Sequence, residues 1–357
     1  MDSRSFLQAT GSDTTAVQKK LADRSLRVLA VAALWTVTVC NLAFGQAATV
    51  LQIDVENYAF YYGDVPDYTK FATESKAVPP AATKTFASFI GLADIVRVSG
   101  KPYKGTWAIR ATHINFTPNP QPGQAMADVT RNFFVDWIWE IQQPDGTPVG
   151  TIMATGFGFG PPPPGAPLRL SPTAGSSMAI TGGTGAFLGV RGQAGFSDIT
   201  VQGRAASESE DPANRRSLGG GVRSFLLHLI PMTRPEILNT ASGPAVVHGS
   251  DFTLVTAGKP AKAGEILSLF ATGLGPTRPG VEPGQTFTAD RPQVVNSPVG
   301  VLVNGKPGEV LYAGGYPGTV DGYQVNLRVP DGTASGQASL QLTSAWIAGP
   351  EVRIAIQ

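Results

Sequence analysis

The stretch Ile180–Gln193, ITGGTGAFLGVRGQ, decides the fold of this chain. Its glycines admit two readings. In the first they form a turn that brings backbone N–H groups against a pyrophosphate, and a following helix completes the anion site. In the second they form the tight corner between two strands. The first reading needs a strand before the turn and a regular amphipathic helix after it. Only Met178-Ala179-Ile180 precedes it as a strand, behind a Pro/Ser/Gly stretch, and Gly192 and Gly195 fall where the helix would run. Each glycine costs a helix about 1 kcal/mol against alanine. The second reading uses every glycine. Met178 and Ile180 enter as a strand, Gly182, Gly183 and Gly185 turn, and Phe187, Val190 and Phe196 pack the return. Gly189, Gly192 and Gly195 mark kinks or close backbone approaches.

The flanking sequence carries the period of strands, not the βαβ alternation of a nucleotide fold. Leu51, Ile53 and Val55 alternate with Gln52, Asp54 and Glu56. Residues 86–97 hold a further strand. Thr106–Phe116 places Trp107, Ile109, Ala111 and His113 on one face and Arg110 and Thr112 on the other. Asn132–Gln142, NFFVDWIWEIQ, alternates most strongly: Phe133, Val135, Trp137, Trp139 and Ile141 share one face, Asp136 and Glu140 the other. Asp145-Gly146 suits a hairpin turn to Thr151–Phe159. The run PPPPG at 161–165 is an exposed extended loop. Val222–Ile230 supplies a strand to close a barrel, which satisfies the sheet edges. His228 within it reads as a satisfied inward or interface histidine.

Composition sets the limits. The chain has 357 residues, enough for two domains, and 42 Gly with 29 Pro favour many short strands over long helices. The net charge of +1, without a basic block, gives no electrostatic footprint for nucleic acid. One cysteine, Cys40, rules out a disulfide within the chain, and three scattered histidines argue against a His- or Cys-rich metal site. With the pyrophosphate turn set aside, no cofactor is expected, and no metal.

Residues 1–45 read as a leader. Arg24 and Arg27 precede the apolar run from Val28, and Ala43 and Gly45 fit a cleavage site after Gly45. The alternative to this cleaved signal is that 28–44 stays as a membrane anchor, at the short edge of what spans a bilayer. Either way the chain is expected outside the cytoplasm, in the cell envelope or beyond it. Residues 49–232 form the barrel, with a polar excursion over 202–221 that reads as flexible. After the linker PMTRP, residues 236–357 show about seven strands separated by Gly/Pro turns, including the Asn304-Gly305 hairpin signal. That count matches an immunoglobulin-like sandwich. The whole chain is therefore expected to be all-β.

Two resemblances accompany these patterns. TGGTGAFLG looks like the fingerprint of extended short-chain dehydrogenases, but the missing helix counts against it. GGTGAFLGVRGQA is similar to the hairpin of dirigent proteins and allene oxide cyclases, which implies an eight-stranded antiparallel barrel over about Thr49–Met232. Over 236–357, GEILSLFATGLGPTRPGV, PVGVLVNGKPGEVLYAG, PGTVDGYQVNLRVP and AWIAGP closely resemble a C-terminal domain of exported proteins from Solibacter-type acidobacteria. That resemblance implies a bacterial, extracellular β-sandwich appended to varied partners.

The aromatic-rich strands, with no nucleophile–base pair, point to a barrel that binds a small apolar or aromatic ligand. Tyr58, Tyr62, Trp107, Trp137 and Trp139 are the expected lining, with Glu140 as a polar contact. A cyclase of the allene oxide cyclase type would instead need Glu140, Asp136 or His113 to face the cavity. A third reading is a structural or adhesive protein whose barrel is filled by side chains.

Overall fold

The structure is a computed structural model. It describes residues 49–62, 85–115, 132–158, 177–201, 203–206, 210–282 and 284–357. The leader expected over 1–45 lies outside these residues, as does the PPPPG loop.

The N-terminal domain contains β1 (Thr49–Tyr62), β2 (Thr85–Val98), β3 (Lys101–Pro102), β4 (Lys104–Asn115), β5 (Asn132–Gln142) and β6 (Pro148–Gly158). It continues with β7 (Ser177–Gly183), β8 (Arg191–Val201), β9 (Arg204–Ala206) and β10 (Gly221–Ile230). Hydrogen bonding runs β2-β4-β5-β6-β7-β8-β10-β1, and β1 returns to pair with β2. The result is a closed antiparallel barrel of eight strands. Closure leaves none of these strands with an open edge.

Eight strands enclose a lumen just wide enough for side chains to fill. Alternation decides which ones do. On β5, Val135, Trp137, Trp139 and Ile141 are buried, whereas Phe134, Ile138 and Glu140 are exposed. On β1, Leu51, Ile53 and Val55 are buried, and strict alternation would send Asn57 inward next. A bulge intervenes. The register against β10 shifts between Val55 and Tyr58, and Asn57 takes a φ of 59°. The extra residue reverses the parity. Tyr58 is therefore 1% exposed inside the barrel, while the Asn57 side chain turns to Asp94, Nδ2 donating to Oδ2 at 3.0 Å.

The stretch 180–193 forms the strand–turn–strand corner. β7 ends at Gly183, a 3-10 turn spans Gly185–Phe187, and β8 begins at Arg191. Phe187 and Val190 are buried at this end of the barrel. Gly185, Gly189 and Gly192 hold φ values of 62°, 73° and 144°. At Gly192 the constraint is also steric: a Cβ there would lie 1.8 Å from the carbonyl oxygen of His228 on β10.

Where the sequence predicts a flexible excursion over 202–221, the described residues form regular elements. β9 runs parallel to β1, a 3-10 turn spans Pro212–Asn214, and one helical turn, α1, spans Arg215–Leu218. Charge holds them: Arg204 pairs with Glu210 at 2.5 Å. The same polar residues that resemble a solvated linker in sequence serve here as partners for one another.

The second domain contains β11 (Glu236–Ile237), β12 (Asn239–Thr240), β13 (Gly243–Pro244), β14 (Val246–His248), β15 (Ile266–Thr272) and β16 (Thr277–Arg278). Then follow β17 (Val294–Val295), β18 (Val299–Val303), β19 (Lys306–Gly315), β20 (Tyr323–Arg328), β21 (Gly336–Ser344) and β22 (Ile347–Ile356). Its main path is β11-β15-β20-β19-β18-β21-β22, a single antiparallel sheet that curls almost into a second barrel. An immunoglobulin-like sandwich would divide these strands between two facing sheets. Asn304 and Gly305 turn the β18–β19 hairpin with φ values of 47° and 74°, as their sequence demands.

The tight-turn end of the barrel meets this domain. Tyr103 packs edge-on against Trp346 at 4.9 Å, Arg278 Nη1 donates to Thr147 Oγ1 at 3.2 Å, and Ala345 is buried in the barrel's apolar cluster.

Gly192→Ala is expected to lower unfolding free energy by about 1–3 kcal/mol, since it combines a left-handed φ with a backbone collision. Gly182→Ala, whose Cβ would meet nothing closer than Arg191 Nη1 at 3.6 Å, is expected to leave it unchanged or to raise it by up to about 1 kcal/mol. Urea titration of the two variants measures the difference.

Candidate ligand site in the barrel lumen

Burial alternates without interruption along β10: Gly221, Arg223, Phe225, Leu227 and Leu229 face in, and Val222, Ser224, Leu226 and His228 face out. An arginine thus occupies an inward position in an otherwise apolar row. Arg223 is only 4% exposed. Its guanidinium carbon lies 4.6 Å from the Phe196 ring centroid, 4.7 Å from that of Tyr58 and 5.7 Å from that of Trp107. No carboxylate pairs with it among the described residues, and its Nε has no acceptor. Burial pulls the guanidinium below the usual arginine range, and the Tyr58 hydroxyl opposes that shift.

The balance of forces here is unusual. Removing an ion from water costs several kcal/mol even after relaxation. Ring faces return about 2 kcal/mol or more when the cation is desolvated. Arg215, the other buried arginine among the described residues, is treated differently: it donates to Asp94 Oδ1 at 2.5 Å and to the Pro212 carbonyl at 2.7 Å. Arg223 has rings and one phenol where Arg215 has a carboxylate.

Next to Arg223 lies a continuous aromatic cluster. Trp107 sits 4.8 Å from Phe225 and 6.1 Å from Trp137; Trp137 sits 5.6 Å from Trp139, and Trp139 5.3 Å from Phe225. Most of these contacts are edge-to-face, the arrangement that ring quadrupoles favour. The indole Nε1 atoms of Trp107, Trp137 and Trp139 are buried, and none has a hydrogen-bond acceptor. Together with Arg223 Nε, four buried donor atoms among the described residues of the lumen lack an acceptor. Orphan buried donors are rare in native proteins, and each calls for an explanation.

Of the residues expected to line the barrel, Tyr58, Trp107, Trp137 and Trp139 come together. The side chains of Tyr62 and His113 lie outside those described. Glu140 does not join them: strand alternation places it on the exposed outer wall, where its Oε1 accepts from Gln142 Nε2 at 2.9 Å. Asp136 shares that wall. It accepts from Arg110 Nη2 at 2.6 Å and from Thr155 Oγ1 at 2.9 Å, and the bond from Arg110 holds its carboxyl below the usual range. Neither carboxylate reaches the lumen. His228 also faces outward, and its Nε2 has no partner. Arg223 was missed by the sequence reading, although the signal was present: in VRSFLLHLI it has the parity of Phe225, Leu227 and Leu229.

The wall beside Arg223 is clamped. A Cβ on Gly220 would lie 2.4 Å from the Asn57 carbonyl carbon, so 220 and β1 touch backbone to backbone. Asp94 on β2 accepts from Arg215, from Arg216 Nη2 at 2.7 Å and from Asn57, tying α1 to the barrel. Burial pushes the Asp94 carboxyl up, but the bonds from Arg216, Asn57 and Arg215 outweigh it and leave the group below its usual value.

The two ends of the barrel differ. Near Arg223, β1 ends and β2 begins, β4 ends and β5 begins, and β6 ends and β7 begins; the connecting segments are 63–84, 116–131 and 159–176. The other end carries the short turns and the second domain. A separate cleft of about 450 Å³ lies there, lined by Ala186 and Leu188 of the hairpin and by Leu274, Phe287, Tyr323 and Ile347.

No protein-family model, curated protein or solved structure matches the chain.

Because the folded Asp94 carboxyl titrates below its ordinary value, the clamp contributes above roughly pH 4 and is lost as pH falls through the folded pKa. Asp94→Asn is expected to cost about 1–3 kcal/mol at pH 7. The gap between variant and wild type should close in acid, as followed by thermal melts between pH 7 and pH 3.

Proposed function

We propose that the barrel is a small-molecule binding module for an apolar or aromatic ligand, in a chain exported from a bacterial cell. The observation that carries this reading is the buried aromatic cluster beside a cation that no carboxylate among the described residues neutralises. A barrel that served only as a filled scaffold would gain from an aliphatic residue at 223, because a buried charge lowers stability where hydrophobic packing raises it. The long connections at the Arg223 end make that end the side of entry. In this reading the barrel is dirigent-like, consistent with eight antiparallel strands, and the second domain is a sandwich-related module that positions it at the cell surface.

The cyclase alternative loses two of its three candidate groups, since Asp136 and Glu140 lie on the outer wall. Binding without turnover is therefore the reading supported here.

Trp107, Trp137 and Trp139 make up three of the chain's five tryptophans, so occupancy should register in their emission. A panel of naphthalene derivatives and medium-chain alcohols is expected to give saturable tryptophan quenching or blue shift with at least one member. Trp107→Phe should reduce that signal, whereas Trp346→Phe, at the contact with Tyr103, should not. A flat response across the panel would sink the proposal.

A further inference from the structure

The cleft of about 450 Å³ at the short-turn end has the size of a small-molecule site, and such sites favour junctions between domains. We infer that it binds a small organic cation, an ammonium group carried on an apolar body. The site is separate from the barrel lumen and does not rest on what the lumen holds.

Three observations converge on this. The first is the balance of charge. Glu282 and Asp321 line the cleft, and both are exposed. Among the described residues no Lys, Arg or His lines it, and neither carboxylate belongs to an ion pair. Arg278, which follows the lining Thr277, donates to Thr147 Oγ1 at 3.2 Å instead. Pro283, beside Glu282, lies outside the described residues, and its side chain carries no charge. An anion in the cleft meets two like charges, whereas a cation meets two opposite ones.

The second is the wall between those carboxylates and the barrel. Leu188 of the hairpin is 69% exposed and Val320 is 54% exposed, and both line the cleft. Phe287 and Tyr323 line its buried side, with ring centroids 5.2 Å apart and planes at 60°. Aliphatic surface accommodates an apolar body, and aromatic faces attract an ammonium group.

The third is that the walls are already tied in place. Phe287 N donates to the Thr319 carbonyl at 2.9 Å, Gly318 N to the Phe287 carbonyl at 2.8 Å, and Tyr316 N to the Gly322 carbonyl at 2.8 Å. The Tyr323 hydroxyl donates to the Gly275 carbonyl at 2.7 Å, which joins β20 to the loop after β15. Burial pushes that phenol above its usual value and the Asp321 carboxylate adds to the rise, so the hydroxyl stays neutral beside the acid. A preformed cleft loses little conformational freedom when it is filled.

The experiment uses the full chain and three probes that share one arene: 2-phenylethylammonium, 2-phenylethanol and 3-phenylpropanoate. Each is titrated at pH 7 and low ionic strength, with binding followed by ligand-observed NMR. The wild type is expected to bind the ammonium roughly fivefold more tightly than the alcohol, and the carboxylate most weakly. Glu282→Gln with Asp321→Asn should remove the ammonium's advantage and leave alcohol binding in place. Asn tolerates the φ of 55° at 321. Val320→Trp, which fills the cleft, should weaken ammonium and alcohol alike. Circular dichroism and melting temperature establish that the variants are folded; if the double variant is not, Glu282→Gln alone should remove part of the advantage. Equal affinity for the three probes overturns the charge assignment. An ammonium preference that survives loss of the carboxylates, or binding that survives Val320→Trp, overturns the placement in this cleft. No binding of the ammonium at millimolar concentration overturns the site itself.

Discussion

Ring closure is the constraint on which the N-terminal domain depends. Once β1 hydrogen-bonds to β2, every strand has neighbours on both sides and no residue can change face without a bulge. The lumen is then determined by parity alone. Each inward residue must fit beside residues from seven other strands, which is why so many of them are aromatic and why their rings meet at edges. The same parity keeps Arg223 facing inward, because its strand is held by β1 on one side and β8 on the other.

One exception to parity shapes the site. The bulge at Asn57 turns a polar side chain outward and a tyrosine inward. Its two consequences are linked. Outside, Asn57 joins Arg215 and Arg216 at Asp94; inside, Tyr58 comes over Arg223. A single backbone irregularity thus couples the clamp on the wall to the geometry of the buried cation.

Much of this was legible in the sequence, and the failures have physical causes. The reading of 180–193 as a strand corner rested on Gly192 and Gly195 denying a helix, and Gly192 indeed sits where only a hydrogen fits against β10. The inward face of β5 followed from alternation, and the barrel followed from the succession of strands. Glu140 was chosen for its chemistry against its parity, and parity won. Arg223 was overlooked because a charged residue next to a turn reads as surface. The excursion over 202–221 was read as flexible because its composition lacks apolar residues; the carboxylates that order it, Asp94 and Glu210, include one more than a hundred residues away in sequence. The second domain's strands were found individually, but how they share a sheet depends on pairings that no local pattern encodes.

The two ends of the barrel differ in what they connect. The short-turn end is occupied by a neighbouring domain, with Ala345 seated in the barrel's own apolar cluster, so that end is committed to holding the molecule together. The opposite end carries the connections from β1 to β2, from β4 to β5 and from β6 to β7. Substitutions in the short turns therefore bear on how the two domains are joined as well as on the barrel itself.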